Sequence, residues 1–275
     1  MIFKQVCQGE NMRILVVSDT HCGHRSGLTH PEFQPRISSR EPQIEQKLKE
    51  YRKRVWDWFA QEIDLLRPID QCIFNGDLID GQGPKNNGIE LLTSDRKKQI
   101  RMANEIIGFI GAKDHHIIVG TPYHTGESED MEGFLAQSGK EAKIEGRFDF
   151  KGLQVSTVHH ITSCSPSTMK KAEIMSELRK AQSDMYRTKP EAPLNLIIRS
   201  HIHRCRFWGH PAMNIQVWTM PGLQFPFAIG YARKMHDTEP IDFGFLELNV
   251  TDSKHWHVVP HIAPIVFEED AYKVS

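Results

Sequence analysis

Five short polar stretches interrupt this chain where an apolar run gives way to a loop: SDTH (Ser18 to His21), NGDLID (Asn75 to Asp80), GTPYH (Gly120 to His124), VHH (Val158 to His160) and SHIH (Ser200 to His203). Each carries a carboxylate or an imidazole, and each follows a segment that reads as a buried strand. Those segments are Arg13 to Val17, Gln71 to Phe74, His116 to Val119, Leu153 to Val158 and Leu194 to Ile198, all short, rich in β-branched and aliphatic residues and bounded by turn-formers. Near-continuous apolar runs suit strands covered on both faces.

Helical patterns lie between them. Apolar side chains recur at spacings of three, four or seven through Ile44, Leu48, Tyr51, Val55, Phe59 and Leu66, and again through Ile100, Ala103, Ile107 and Ile110 after an N-cap candidate at Ser94. Strand-helix-strand alternation predicts an α/β layered domain, in which loops leaving the carboxyl ends of strands form the binding crevice.

Bulk properties narrow the function classes. The chain has 275 residues, 39% of them hydrophobic, and no linker-like stretch, so residues 1–275 are expected to form a single domain. No apolar run reaches membrane-spanning length and the first residues lack a secretory apolar core, which points to the cytoplasm and away from a membrane. Five cysteines without CxxC spacing indicate neither a disulfide framework nor a cysteine-rich zinc site. A net charge of −1 exerts no global pull on nucleic acid, and the basic clusters Arg52 to Arg54 and Arg96 to Arg101 read as solvated helix faces.

In SDTH, Asp19 and His21 are two apart beyond a strand, and an extended backbone puts alternate side chains on one side, close enough to share an ion. Carboxylate with imidazole suits zinc, manganese or iron rather than calcium. In NGDLID, Gly76 permits a sharp turn, Asp77 projects from the strand end with two oxygens able to bridge two cations, and Asp80 braces the loop. SHIH repeats the alternate-residue geometry with His201 and His203, serving one metal or two neighbouring ones. In VHH one ring is expected to face the centre, His159 being the candidate. His255 with His257 reads as a half-exposed strand face, and His115 and His116, which begin a strand, read as structural.

This ordered set, Asp-x-His, Gly-Asp-x-x-Asp, a Gly-to-His loop, a lone His and His-x-His, resembles the calcineurin-like metallophosphoesterase family over Asp19 to His203. The resemblance implies two facing β-sheets flanked by helices, an αββα sandwich in four layers, with Ile215 to Met220 and Phe243 to Val250 supplying strands of the second sheet. It implies two divalent metal ions, one held by Asp19, His21 and His203, the other by His159 and His201, with Asp77 bridging. The third motif departs from the family, whose Gly-Asn-His is here Gly120-Thr121-Pro122-Tyr123-His124. Thr121 offers a hydroxyl where the family has an amide carbonyl, and His124 is the candidate catalytic histidine.

Two cations about 4 Å apart would bring the pKa of a shared water toward ~7 and neutralise phosphate oxygens. His124 would then assist the leaving oxygen. The expected reaction is hydrolysis of a phosphodiester or phosphomonoester by a metal-activated hydroxide. A nuclease of the same family, with nucleic acid as its partner, is the alternative within the class, and a non-catalytic scaffold that retains the fold is the alternative outside it.

Overall fold

In a computed structural model, which describes residues 10–36, 38, 40–82, 88, 90–121, 131–136, 140–160, 194–210, 215–225 and 241–264, the apolar runs form the expected strands with shifted ends. In chain order the elements are β1 (Met12–Val17), α1 (Gln43–Leu66), β2 (Gln71–Asn75), α2 (Arg96–Ile110), β3 (Asp114–Ile118), β4 (Glu145–Phe150), β5 (Leu153–Val158), β6 (Leu196–Arg199), β7 (Arg206–His210), β8 (Ile215–Thr219), β9 (Gly244–Val250) and β10 (Trp256–Ile262). They build two five-stranded sheets, ordered β10-β9-β1-β2-β3 and β4-β5-β6-β8-β7. Both are mixed. In the first, β1, β2 and β3 are parallel, with Val17 opposite Phe74 and Asn75 opposite Ile118; in the second, β5, β6 and β8 are parallel.

Alternation of side chains across the pleat divides the core into layers. Ile14, Val16, Ile73 and Leu248 meet Val155, Leu196 and Ile198 between the sheets. Leu15, Val17, Cys72 and Phe74 point the other way, against α1 and α2. The central strands β1 and β2 are therefore apolar at nearly every position, because both of their faces are covered. The result is the two-sheet sandwich that the resemblance implied, except that β9, expected in the second sheet, lies in the first between β10 and β1. Both described α-helices lie on the first sheet; the helical layer expected outside the second falls on no described residue, and residues 161–193 lie outside the description.

Helix α1 buries Leu48, Tyr51, Val55, Phe59 and Leu66 as the spacing predicts, together with Trp56 and Ile63. Arg52, read as part of a solvated cluster, is instead buried and donates from Nε to the Arg25 carbonyl at 2.7 Å. Helix α2 needs two corrections. Its cap is Asp95, not Ser94: the Asp95 carboxylate accepts from the Lys97 and Lys98 amides. Its buried face is Gln99, Met102, Ala103, Ile106 and Ile110, with Ile100 and Ile107 only half-buried. Gln99 turns inward because its side-chain amide bonds Gly81 through both backbone groups, at 2.8 and 2.7 Å.

Strands β4 and β7 were not predicted, and β10 only as the strand face read at His255 and His257. Strands β4, β7 and β10 are edges of their sheets, where charged residues, Gly209 and Pro260 are tolerated because one side of the ladder has no partner. His257 is exposed on β10, and His255 precedes that strand. His115 and His116 bond the Leu135 carbonyl and the Gln71 side chain, at 3.3 and 2.9 Å, as structural histidines. Among the described residues no helix is long and apolar enough to cross a membrane.

Candidate metal centre

The parallel strands of both sheets end at one edge of the sandwich, and the polar motifs begin there. Asp19 follows β1, Asp77 follows β2, Thr121 follows β3, His159 follows β5, and His201 and His203 follow β6. Cross-links hold the ends together. Asn75 Nδ2 donates to Ser200 Oγ at 2.6 Å, the Ser200 amide to the His159 carbonyl at 3.0 Å, and the Asp19 amide to the Gly76 carbonyl at 3.0 Å.

Asp19, His21, Asp77, His159, His201 and His203 all converge, in two overlapping groups. Ligand atoms of Asp19, His21 and His203 lie within 4.8 Å of one another, as do those of Asp19, Asp77, His159 and His201. His203, His21 and His159 place their Nε2 atoms 3.1, 3.8 and 3.8 Å from Asp19 Oδ1. His159 Nε2 is 2.9 Å, and His201 Nδ1 3.6 Å, from Asp77 Oδ2. Asp19 lies in both groups, and Asp77, the implied bridging residue, lies in the second. Asp77 is held toward the second group by Thr121, whose amide donates to Oδ1 at 2.7 Å and whose hydroxyl lies 3.1 and 3.2 Å from the two carboxylate oxygens.

The backbone reaches this arrangement by a route the spacing did not suggest. Strand alternation was expected to bring Asp19 beside His21 and His201 beside His203. Instead Asp19, His21, Asp77, His201 and His203 all have positive φ, between 44° and 73°. Left-handed backbone at a non-glycine residue costs on the order of 1–3 kcal/mol and persists only where the surroundings enforce it. Each such residue turns the chain sharply at a strand end and aims its side chain back over the sheet edge. Gly76 (φ 85°) and Gly120 allow these loops to touch: a Cβ on Gly76 would sit 2.5 Å from the His159 ring, and one on Gly120 would sit 2.2 Å from Asp77 Oδ1. Gly222, which no motif singled out, gives His203 the same clearance, with 2.7 Å to its ring.

A second ring of contacts fixes the imidazoles. His21 Nδ1 is 3.0 Å from Asp80 Oδ1, and His159 Nδ1 donates to the Asn75 carbonyl at 2.6 Å. With Nδ1 so engaged, each ring presents Nε2 to the centre, the arrangement found around metal-binding histidines. Ser18 Oγ donates to Asp19 Oδ2 at 2.5 Å. His160 is exposed, which separates it from the buried His159, although its ring stands 5.5 Å from that of His201. The His201 side chain is 35% exposed, so the centre opens to solvent on that side.

These residues fit a divalent cation. His159 Nε2 is buried 2.9 Å from Asp77 Oδ2 without the alignment of a good hydrogen bond. A nitrogen so placed needs a positive charge between itself and the carboxylates, either a proton or a metal. Burial opposes charge on the His159 ring, but Asp77 and Asp19 overcome it and push the pKa up to about 10. Burial raises the Asp19 carboxyl, and His203 and His159 overcome that, holding it well below the usual range.

Two mixed sheets with carboxylates and imidazoles after β1, β2, β5 and β6, in the order of four of the five motifs, decide the architecture. The fold is metallophosphoesterase-like. Solved structures similar to this chain include Vps29 of Chaetomium thermophilum, at 12% identity and a TM-score of 0.44 over 92% of this chain and 97% of that one. Wild-type Vps29 of Entamoeba histolytica complexed with zinc is similar at 11% identity and 0.43, over 91% and 99%. A novel archaeal phosphodiesterase is similar at 14% identity and 0.39, over 91% and 100%. No family model and no curated relative matches the sequence.

His124, the candidate catalytic histidine, lies outside the described residues, as do Pro122 and Tyr123. Sequence reasoning missed Glu132, a buried carboxylate beside Asp77, and Gly222. A lone glutamate in a polar stretch and a glycine after a strand carry no signal until the fold brings them to the site. Asn75 and Ser200 lay inside the motifs, and their position at strand ends was the signal available.

Proposed function

We propose that this protein is a metal-dependent phosphoesterase that hydrolyses a phosphodiester or phosphomonoester at a two-metal centre. The observation that carries the reading is the convergence of six carboxylate and imidazole side chains, from four separate loops, into two groups that share Asp19. The first group would hold one ion through Asp19, His21 and His203. The second would hold another through Asp77, His159 and His201, beside the Thr121 hydroxyl. Mixed oxygen and imidazole donors suit manganese, zinc or iron. Such a pair of cations supplies a nucleophile from water at neutral pH and neutralises phosphate oxygens.

The chain's own residues do the rest. Asp80 and the Asn75 carbonyl hold the His21 and His159 rings with Nε2 inward. The open side at His201 admits the ester, and His124 is the residue proposed to place a proton on the departing oxygen. A cytoplasmic setting accords with unpaired thiols at Cys22, Cys72 and Cys205.

The test is hydrolysis of bis-p-nitrophenyl phosphate, p-nitrophenyl phosphate and single-stranded DNA with manganese, zinc or chelator. Turnover of a small ester that needs metal, and that drops more than about 100-fold in Asp77→Ala, supports the reading. Cleavage of DNA alone would make the protein a nuclease. Absence of metal-dependent turnover on all three would leave a scaffold.

A further inference from the structure

Beside Asp77 lies a buried carboxylate that belongs to none of the five motifs. Glu132 opens a short helical turn, Glu132–Leu135, and is 1% exposed. Its two oxygens have separate tasks. Oε1 accepts from the Leu78 amide and Oε2 from the Gly120 amide, each at 2.6 Å. Leu78 follows Asp77 directly, and Gly120 precedes Thr121. One side chain therefore ties together the loops that leave the adjacent parallel strands β2 and β3.

The tie continues into the site. Gly120 packs so closely on Asp77 that an added Cβ would meet its backbone nitrogen at 2.3 Å. From there the Thr121 amide reaches Asp77 Oδ1 at 2.7 Å, and Asp77 Oδ2 faces His159 Nε2 at 2.9 Å. Glu132, Gly120, Thr121, Asp77 and His159 thus form a continuous chain of short contacts. Burial, then Asp77, push the Glu132 carboxyl up to about 7, and the Gly120 and Leu78 amides oppose that shift; geometrically, a carboxylate is the side chain that accepts an amide at each of two oxygens. Two amides from neighbouring loops on one buried side chain make it a fixed link between those loops.

We propose that Glu132 is the positioning residue of the second metal group: it sets the spacing between the Asp77 and Thr121 loops and so fixes Asp77 against His159. The inference rests on the two-metal reading above. The tie also reaches the unusual third motif. With no asparagine after Gly120, the loop is placed by a carboxylate contributed from twelve residues downstream.

The test titrates the metal-free chain with Mn²⁺ by calorimetry, comparing wild type with Glu132→Gln. A glutamine keeps one acceptor and turns an NH₂ toward the other backbone amide, so one of the two ties is lost. The expected result is two binding events in wild type. In the variant, affinity for one ion falls by about 10- to 100-fold, while the other event, assigned to Asp19, His21 and His203 by its loss in His21→Ala, changes by less than about threefold. A merely structural role would leave both affinities unchanged or weaken both alike, and either result overturns the assignment. If Glu132→Gln does not fold, Glu132→Asp, which keeps both oxygens but is too short to reach both amides, takes its place with the same expectation. Failure of both variants to fold would show Glu132 serving the fold as a whole and would also overturn it. If wild type itself binds fewer than two ions, the two-metal reading fails first, a result distinct from two intact events in the variant.

Discussion

His21 Nε2 and His203 Nε2 face each other across 3.3 Å, over the Asp19 carboxylate. Two ring nitrogens at that distance share a proton or a cation, and His21 is committed to this direction because Asp80 holds its other nitrogen. Replacing Asp80 by alanine releases the ring without touching a proposed ligand. We expect affinity for one Zn²⁺ to fall by about 10- to 100-fold in calorimetric titration, with the fold retained by circular dichroism. An unchanged isotherm would mean that His21 is not a ligand.

Gly76 combines a φ of 85° with a Cβ position 2.5 Å from the His159 ring. Gly76→Ala meets both constraints at once, at a cost of about 1–3 kcal/mol for the backbone conformation before any displacement of the ring. The melting temperature should drop by roughly 2–12 °C, and binding of the second ion should weaken. A variant that melts with wild type would show that the loop relaxes freely.

Asn75 joins the ends of the two sheets through its side chain, donating to Ser200 Oγ at 2.6 Å and to the Val158 carbonyl at 3.3 Å. Asn75→Leu keeps the volume and removes the donor, leaving buried acceptors short of a partner at a cost of about 1–3 kcal/mol. Urea denaturation should show a lower midpoint at an unchanged m value. Equal midpoints would show that this link contributes nothing to stability.

Far from the site, His261 joins α1 to the first sheet, with Nδ1 2.8 Å from Glu62 and Nε2 3.1 Å from Glu247. The hydrogen bond from His261, against burial and with help from Asn249 and Arg13, lowers the Glu247 carboxyl from 4.5 to about 2. Its stabilisation is therefore present above pH 4.5 and lost as pH falls toward 2. Burial lowers the His261 ring, but Glu247 and Glu62 outweigh it and raise the pKa above 6.5. That contribution is complete below 6.5 and lost as pH rises through the raised value. Melting temperature should thus be highest between pH 4.5 and 6.5, and Glu247→Gln should flatten the acid side of the profile. An acid limb identical in the variant would show that other carboxylates govern it.

What could be read in advance followed from burial. Strands covered on both faces are apolar throughout, so β1, β2, β5 and β6 stand out, and a carboxylate or imidazole just past such a strand is conspicuous. Edge strands β4, β7 and β10 mix charged, glycine and proline residues with apolar ones and look like loops. On α2, the inward turn of Gln99 depends on a partner at Gly81, which spacing along the helix does not reveal.

The sequence by itself determined the order of strands and motifs, and hence which side chains stand at the strand ends, because periodicity and turn residues are local properties. Only the tertiary structure decided how those side chains meet. The left-handed turns at Asp19, His21, Asp77, His201 and His203 are unfavourable in isolation and exist because packed sheets, the Glu132 tie and the clearances at Gly76, Gly120 and Gly222 enforce them. How the six side chains meet also depends on contacts such as Asn75 with Ser200 and Asp19 with His203, which link positions more than a hundred residues apart and leave no local trace.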